Sequence, residues 1–333
     1  MSTYEDDFAL AETGVSTCGD DFAFWTPKRI GEAIPADLFL GRYACTPGAR
    51  DSSSYKPTHY DGVSPIDKPN IVHVQEVAAA PYHSIGRLVV HGQYRNTVTG
   101  ESEEQDRKAT AFYIGNSTLL TVAHAFSLTT ETENGSYIFE ETRGGVFIPA
   151  SVGENDDGKH YGMFIFRSGR KEGYLLHPKY EPDLRNAQHD ICKVSICKGI
   201  KDKKLINTIE DVNLQPFAIL KDQNYNAQVE RRPQAFWRAF GYPCGWSDVM
   251  NLIGVRGKFR SCDHQEIQLD TNPEILAGMS GGPWIVEDEG PDQGNVTQVN
   301  GVQAGNPPTI GSNYRAVSSY FSTDLFRELQ LDI

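Results

Sequence analysis

From Pro81 onward, short apolar or alternating runs are separated by groups of turn residues. The runs lie at residues 85–91, 109–114, 118–122, 137–139, 146–148, 163–166, 191–196, 235–240, 252–255, 266–269, 284–286 and 299–304. Many short runs at this spacing are typical of β-strands in sandwiches or barrels. Because we find neither an internal repeat nor an alternation of strands with helices, the pattern predicts a mainly β fold.

A helical pattern occurs only at the end of the chain. Ser322 or Thr323 can cap the N-terminus of this helix, and Asp324 suits the positive end of the helix dipole. Apolar side chains then share one face of the helix, at Leu325, Phe326 and Leu329. The sequence therefore predicts a short C-terminal helix.

Two stretches differ in composition from the strand-rich region. Residues 1–80 are rich in Asp, Gly, Pro and Ser and have few apolar runs, which predicts an N-terminal extension, a pro-segment or a wrapping arm. A polar stretch at about residues 198–233 divides the remainder into two parts of similar length. We therefore expect one β-barrel at 81–200, a linker at 201–234 and a second barrel at 235–333.

The charge of the chain narrows the possible classes of function. The chain has 31 Lys and Arg against 44 Asp and Glu, a formal net charge of −13, which does not suit a protein whose main task is to neutralise phosphates. No apolar run reaches the roughly 18 residues that a membrane-spanning helix needs. We therefore expect neither a nucleic-acid partner nor a membrane partner.

The first residues, MSTYEDDFALAETGVSTCGDD, are acidic and lack the basic and apolar regions of a secretory signal, which favours a cytoplasmic location. The six cysteines are too few for a disulfide scaffold and contain no Cys-x-x-Cys pair. No cluster has the spacing of metal ligands, and no phosphate-binding glycine loop joins a strand to a helix. We therefore expect no metal and no cofactor.

The most informative segment is Gly-Met-Ser-Gly-Gly-Pro at residues 278–283. Glycines around a serine cost backbone entropy, and the simple explanation is a glycine-rich turn. The functional interpretation is a nucleophile loop, in which the N–H groups of Gly278 and Ser280 form an oxyanion hole beside the Ser280 hydroxyl.

A serine nucleophile needs a base, and a histidine is the usual one. Of the nine histidines, only His124 follows a strand-like run and lies among small residues, in Thr-Leu-Leu-Thr-Val-Ala-His-Ala at 118–125. A carboxylate should orient the imidazole and stabilise its cation. Asp190 opens an apolar alternating strand and is our first candidate, and Asp183, in an exposed-looking turn, is the second.

The order of these residues along the chain discriminates between folds. An α/β-hydrolase has the order serine, acid, histidine, but no histidine follows Ser280, because the last one is His264. The aspartate, histidine, serine order of subtilisins comes with an alternation of strands and helices that is absent here. The order His124, Asp190, Ser280 remains.

Two segments resemble the signatures of chymotrypsin-fold (trypsin-like) serine proteases: Thr-Val-Ala-His-Ala at 121–125 and Gly-Met-Ser-Gly-Gly-Pro at 278–283. Within that group the chain is most similar to the glutamyl-endopeptidase-like (V8-like) branch. Weaker pieces of this resemblance lie at residues 81–86, 177–180, 241–243 and 300–305, and the terminal helix also fits. The resemblance spans about residues 80–333.

The resemblance implies an all-β fold of two six-stranded antiparallel β-barrels with a C-terminal helix and an N-terminal extension. It implies His124 as general base, Asp190 as its orienting acid, Ser280 as nucleophile and the Gly278 and Ser280 N–H groups as oxyanion hole. It also implies that residues 1 to about 75 are a pro-segment removed on activation. Ala125 replaces the cysteine that commonly follows the histidine, so the neighbouring disulfide is missing.

The resemblance also implies a substrate pocket, formed by Glu274, Gln298, Val299, Asn300 and Gly301. Glutamate-selective members carry a histidine where we place Gln298, which argues against glutamate selectivity. Glu274 falls at the floor of the pocket and would favour a basic substrate side chain there. The alternative is a solvated loop glutamate.

Three functions are compatible with these features. The first is a serine endopeptidase that acts on a protein or peptide substrate. The second is a binding module with a protease-like fold, whose site is idle or masked by the N-terminal segment. The third is an esterase or acyl transferase that uses the same triad.

Overall fold

The computed structural model describes residues 22–36, 71–132, 135–153, 158–169, 172–182, 187–225, 236–243, 252–262, 266–271, 276–287, 298–304 and 314–331. Within these ranges the protein is built mostly of β-strands in two curled, largely antiparallel sheets. No helix in these ranges is long and apolar enough to cross a bilayer.

The first sheet contains eleven strands of the described chain and pairs in the order β12-β11-β8-β7-β3-β4-β5-β10-β9, with β1 on β4 and β6 on β7. Its strands are β1 (Ile34–Pro35), β3 (Ile85–Asn96), β4 (Ser102–Gly115), β5 (Thr118–Thr121), β6 (Leu128–Thr132), β7 (Gly135–Pro149), β8 (Met163–Arg167), β9 (Tyr174–Leu176), β10 (Cys192–Ser195), β11 (Lys198–Lys201) and β12 (Lys204–Ile206).

Strand β3 explains why this sheet curls. It is paired on both sides, with β4 and with β7, and the β7 ladder has register shifts at His91/Gly92 and Gln93/Tyr94. Such bulges bend a strand and increase its local twist, so the sheet wraps around its apolar side chains. Residues 137–139 and 146–148, two separate runs in the sequence, belong to the single strand β7.

The second sheet contains seven described strands in the order β19-β17-β14-β15-β16-β20, with β2 on β15. Its strands are β2 (Ile71–His73), β14 (Phe236–Gly241), β15 (Ile253–Cys262), β16 (Glu266–Thr271), β17 (Pro283–Glu287), β19 (Gly301–Val302) and β20 (Tyr314–Ser319). A small parallel ladder joins β13 (Ala218–Ile219) to β18 (Gln298–Val299).

Two α-helices of the described chain flank the sheets, α1 (Pro27–Glu32) and α2 (Thr323–Glu328). Helix α2 begins as the sequence predicts, because the Ser322 hydroxyl caps it by accepting a hydrogen bond from Leu325 N. Leu325 and Phe326 are buried. They belong to the main apolar cluster, so this short helix is held by packing.

The core is continuous between the two sheets. One cluster of buried side chains contains Phe112 and Leu120 of the first sheet together with Phe240 and Ile285 of the second. A smaller cluster, including Trp237 and Trp284, fills the interior of the second sheet. The two units therefore share apolar packing along their junction.

The predicted all-β architecture of two curled antiparallel sheets with a C-terminal helix is confirmed. The two sheets contain more strands than the six expected in each barrel, because short segments such as β1, β2 and the β11–β12 hairpin add to them. Residues 201–234, the expected linker, include β12 and β13. The proposed domain boundaries stay a prediction.

Candidate active site

His124 lies immediately after strand β5, in the 3-10 turn Ala123–Ala125. The alanines on both sides are fully buried, and only such small side chains leave room for the imidazole at this packed position. The backbone oxygen of His124 accepts a hydrogen bond of 2.9 Å from Arg107 Nη1. The turn is therefore anchored to β4, the strand that pairs with β5.

Asp190 precedes strand β10, and the register of the sheet brings it to His124. Strand β10 pairs with β5 so that Cys192 lies opposite Thr121. Asp190 Oδ1 accepts from the backbone N of His124 at 2.9 Å, and Asp190 Oδ2 lies 2.6 Å from His124 Nδ1. Both side chains are buried. Asp183, the second candidate for the acid, lies outside the described residues.

This pair has a defined protonation geometry. A buried carboxylate that bonds both the backbone N–H and the ring Nδ1 of His124 fixes the ring and favours the tautomer with the proton on Nδ1. The other ring nitrogen, Nε2, then has a lone pair. The arrangement can therefore accept a proton at Nε2 and stabilise the resulting cation.

Two further histidines form a stacked pair, and one of them, His189, directly precedes Asp190 in the chain. The imidazole of His177 stacks on that of His189 at 4.6 Å, and His177 Nε2 lies 2.8 Å from Glu328 Oε2 of helix α2. Burial, followed by the charge of the neighbouring ring, lowers the pKa of His177 to about 4, and burial also lowers the pKa of His189. Both shifts favour the neutral form of these rings at pH 7.

Ser280 lies in a tight loop that enters strand β17. Gly278 and Gly281 have positive φ angles of 90° and 89°. Gly281 cannot be replaced without strain, because a Cβ there would lie 2.0 Å from the oxygen of Thr110 and 2.2 Å from Thr121 Oγ1. The glycines next to Ser280 thus permit a close approach between this loop and the first sheet.

Thr110 of β4 holds the loop against the first sheet. Its backbone N donates to Ser280 O at 2.8 Å, and its hydroxyl donates to Gly278 O at 2.9 Å. The same hydroxyl accepts from Tyr242 N at 2.9 Å, and the oxygen of Thr110 accepts from Thr121 Oγ1 at 2.7 Å. Because Thr121 ends the strand that leads to His124, the Ser280 loop lies beside the strands that carry the histidine.

The residues expected in the substrate pocket are more dispersed. Glu274 lies outside the described residues. Gln298 is exposed and opposite Ala218 in the small parallel ladder, whereas Val299 is buried in the main core. Gly301 pairs with Trp284 of β17.

Asn300 faces the interior of the second sheet. Its side-chain amide donates to the backbone oxygen of Trp284 at 3.0 Å and accepts from the indole of Trp237 at 2.9 Å. Its backbone oxygen accepts from Tyr225 OH at 3.0 Å. These contacts make Asn300 part of the polar bonding inside the second sheet, and its role in substrate binding stays a prediction.

Gln303, which the sequence reasoning missed, borders the serine loop directly. Its backbone oxygen accepts from Gly281 N at 2.7 Å and its backbone N donates to Gly282 O at 2.8 Å. Its side-chain oxygen accepts from the indole of Trp284 at 3.0 Å. This placement follows from the register of β17 with β19, in which Pro283 lies opposite Val302.

No group of three or more His, Cys, Asp or Glu side chains in the described ranges is arranged to hold a metal ion. At the junction, a buried imidazole–carboxylate pair lies in the sheet to which the serine loop is hydrogen-bonded.

No family model matches the chain, and no curated protein sequence matches it significantly. Solved serine-protease structures are similar. A thermostable serine protease, AL20, from an extremophilic microorganism is 17% identical, with a TM-score of 0.48 over 74% of this chain and 95% of that chain. A Glu endopeptidase in complex with MPD is 15% identical, with a TM-score of 0.49 over 80% and 98%. The protease Anisep from Arthrobacter nicotinovorans is 16% identical, with a TM-score of 0.44 over 72% and 91%. At these values the likeness extends no further than the overall fold.

Proposed function

We propose that the protein is a serine endopeptidase that cleaves protein or peptide substrates through an acyl-enzyme. The observation that carries this proposal is the buried contact of 2.6 Å between His124 Nδ1 and Asp190 Oδ2, in the sheet whose strand β4 is hydrogen-bonded to the Ser280 loop through Thr110. A buried charge needs compensation, and the imidazole supplies it most fully when it becomes a cation. That is the state a general base adopts during acyl transfer.

In the proposed reaction, the Ser280 hydroxyl attacks the scissile carbonyl while His124 Nε2 takes its proton. Asp190 holds the ring and stabilises the imidazolium without itself being protonated. The N–H groups of Gly278 and Ser280 stabilise the oxyanion, each contributing about 3 kcal/mol in comparable sites. His124 then protonates the leaving amine, and water hydrolyses the acyl-enzyme by the same route.

We place the protein in the glutamyl-endopeptidase-like branch on the segments at residues 81–86, 177–180 and 241–243. Selectivity for glutamate is not part of this proposal, since the residue assigned to the selective histidine is Gln298. A library of peptides read by mass spectrometry would show the residue preferred before the cut. Cleavage confined to sites after glutamate would contradict the interpretation of Gln298.

The central test is Ser280→Ala. We expect kcat to fall by about 10^6-fold, as when a nucleophile of this kind is removed, while the folded structure is retained. A fluorophosphonate should label wild-type protein at Ser280 and should not label the variant. Ser151→Ala is the matched control, because Ser151 is equally buried but not part of the loop.

Two outcomes would contradict the proposal. Peptidase activity at the wild-type rate in Ser280→Ala would show that another residue is the nucleophile. A wild-type protein that neither cleaves peptides nor reacts with the fluorophosphonate would favour the alternative, an idle or masked binding module. Ester substrates tested beside peptides distinguish an esterase on the same triad.

A further inference from the structure

The segment of residues 22–36, which we call the N-terminal strap, is built into the first sheet. Its strand β1 pairs in parallel with β4, with Ile34 opposite Arg107. Its apolar side chains form one buried cluster with the outer face of the sheet, and the cluster includes Phe22, Trp25, Ile30, Ala33, Val89, Val146, Ile148, Met163 and Ile165. Removing the strap would expose this face to water.

Polar contacts fix the position of the strap on the same strand. Arg29 Nη2 donates to Asp106 Oδ1 at 2.9 Å, and Lys108 Nζ donates to Gly31 O at 3.2 Å. The Arg29 guanidinium also lies over the ring of Phe24, 3.6 Å from its centroid. Three consecutive residues of β4, 106–108, thus contact the strap.

The middle residue of that triplet, Arg107, joins the strap to the candidate active site. It is fully buried, with 0% of its surface exposed. Its Nη1 donates to the backbone oxygen of His124 at 2.9 Å, and its Nη2 donates to the backbone oxygen of Ala36 at 2.9 Å. The guanidinium also lies 4.8 Å from the centroid of the Phe139 ring.

We propose that Arg107 is a positioning residue for His124 and that the strap is a lasting part of the active protein, needed to hold Arg107 in place. This inference rests on the proposed function. It differs from the expectation for a removed pro-segment, because it predicts that loss of the strap lowers activity instead of releasing it.

The physical reason is the cost of a buried guanidinium. An arginine in this position needs acceptors for its fixed fork of N–H groups, and the strap supplies one of them through Ala36 O. Without the strap, water reaches Arg107 and competes for the donor that anchors the His124 turn. A shift of well under 1 Å at the base is enough to reduce the rate of a positioned proton transfer.

The experiment compares variants of the full chain. Trp25→Ala combined with Ile30→Ala loosens the strap without substituting any residue of the strands β3–β12, and Arg107→Lys keeps the charge but loses the fork. We expect both to lower kcat by about 10- to 100-fold with KM within about twofold, and to slow fluorophosphonate labelling to the same degree. Lys28→Ala, in an exposed part of the strap, should change neither kcat nor the rate of fluorophosphonate labelling.

A readout that does not depend on activity separates this inference from the proposed function. The proton on His124 Nδ1, shared with Asp190, should give a downfield NMR signal in the wild-type chain and in Lys28→Ala. We expect it to broaden or vanish in the strap variant and in Arg107→Lys. If the wild-type chain shows this signal but no peptidase activity, the proposed function fails, and loss of the signal in the strap variant and in Arg107→Lys would still support the positioning role.

Three results would overturn the inference. The first is higher activity in the strap variant than in the wild-type chain. The second is an unchanged kcat and NMR signal in Arg107→Lys and in the strap variant, with circular dichroism showing a native fold. The third is native mass spectrometry of the labelled, active protein that shows residues 22–36 to be absent.

Discussion

The two halves of the candidate active site are assembled by different means. His124 and Asp190 belong to one sheet, where β5 and β10 are neighbours and the ladder itself sets their positions. Ser280 comes from a loop of the other sheet and reaches the first through hydrogen bonds centred on Thr110. The first contact is a property of one sheet, whereas the second is a property of the junction between two.

Because of this difference, we expect the two parts of the site to respond differently to substitution. A substitution in the imidazole–carboxylate pair should change the chemistry while the ladder preserves the fold. A substitution at the junction should change where Ser280 lies and also destabilise the protein, because the same few bonds join the sheets.

The largest expected effect is that of Asp190→Asn. The amide oxygen can still accept from the backbone N of His124, but the neutral side chain favours the wrong ring tautomer, and we expect kcat to fall by about 10^4-fold. Thermal unfolding measured beside steady-state kinetics should show a much smaller loss of stability. A fall in kcat below about tenfold would mean that Asp190 is not the orienting acid.

Gly281→Ala tests the close approach at the junction. The new methyl group would clash with Thr110 O and Thr121 Oγ1, and the residue would keep a positive φ. We expect a loss of about 3 kcal/mol in the free energy of unfolding, from overpacking and from the left-handed backbone together. Denaturant titration measures it.

Gly100→Ala is the matched control, since its φ is 73° and nothing lies within 4 Å of the added Cβ. Its free energy of unfolding should fall only by the cost of the left-handed backbone, about 1 kcal/mol. Equal losses in the two variants would show that the junction is less tightly packed than these contacts indicate.

Thr110→Val removes the hydroxyl that bonds both Gly278 O and Tyr242 N, at nearly constant shape. Because both groups are buried, we expect a loss of about 2 kcal/mol in stability together with a lower kcat. Thr110→Ser keeps the hydroxyl and should retain most of the stability and most of kcat. If the serine variant behaved like the valine variant, the methyl group and not the hydrogen bonds would matter.

The smallest effect concerns pH and His177, whose ring stacks on that of His189. Its pKa is lowered from 6.5 to about 4, chiefly by burial, so the unfolded chain binds more protons than the folded one between these values. The free energy of unfolding should therefore fall as the pH drops from 6.5 to 4. The contribution of neutral His177 to the free energy of unfolding is fully present above pH 6.5.

His177→Gln should reduce the slope of stability against pH in this window, as measured by denaturant titrations at several pH values. Part of the slope should remain, because the pKa of the stacked His189 is also lowered by burial. An unchanged slope would mean that His177 has the same pKa in the folded and unfolded chains.

The local sequence pattern was sufficient to predict those parts of the fold and the site that depend on residues near one another in the chain. Period-two runs and turn residues predicted the β class, and Ser322 and its neighbours predicted the terminal helix. The glycines around Ser280 and the small residues around His124 identified the candidate chemistry. Asp190 was found because it opens a strand, although nothing local distinguished it firmly from Asp183.

Contacts between distant segments were not predictable in this way. Polar residues 102–108 lie outside the apolar runs of the sequence, yet they form half of strand β4. Arg107, a charged residue of this polar stretch, is fully buried. Gln303, which is not among the predicted pocket residues, is hydrogen-bonded to Gly281 and Gly282 of the serine loop.

The sequence by itself determined the kinds of strands and turns and the residue types able to do chemistry, because periodicity and backbone freedom are properties of neighbouring residues. Only the tertiary structure decided which strands pair and in what register. It also decided that Thr110 holds the serine loop and that the N-terminal strap reaches the histidine turn through Arg107. Those outcomes depend on the packing of segments far apart in the chain, where burial and hydrogen bonding of each depend on the others.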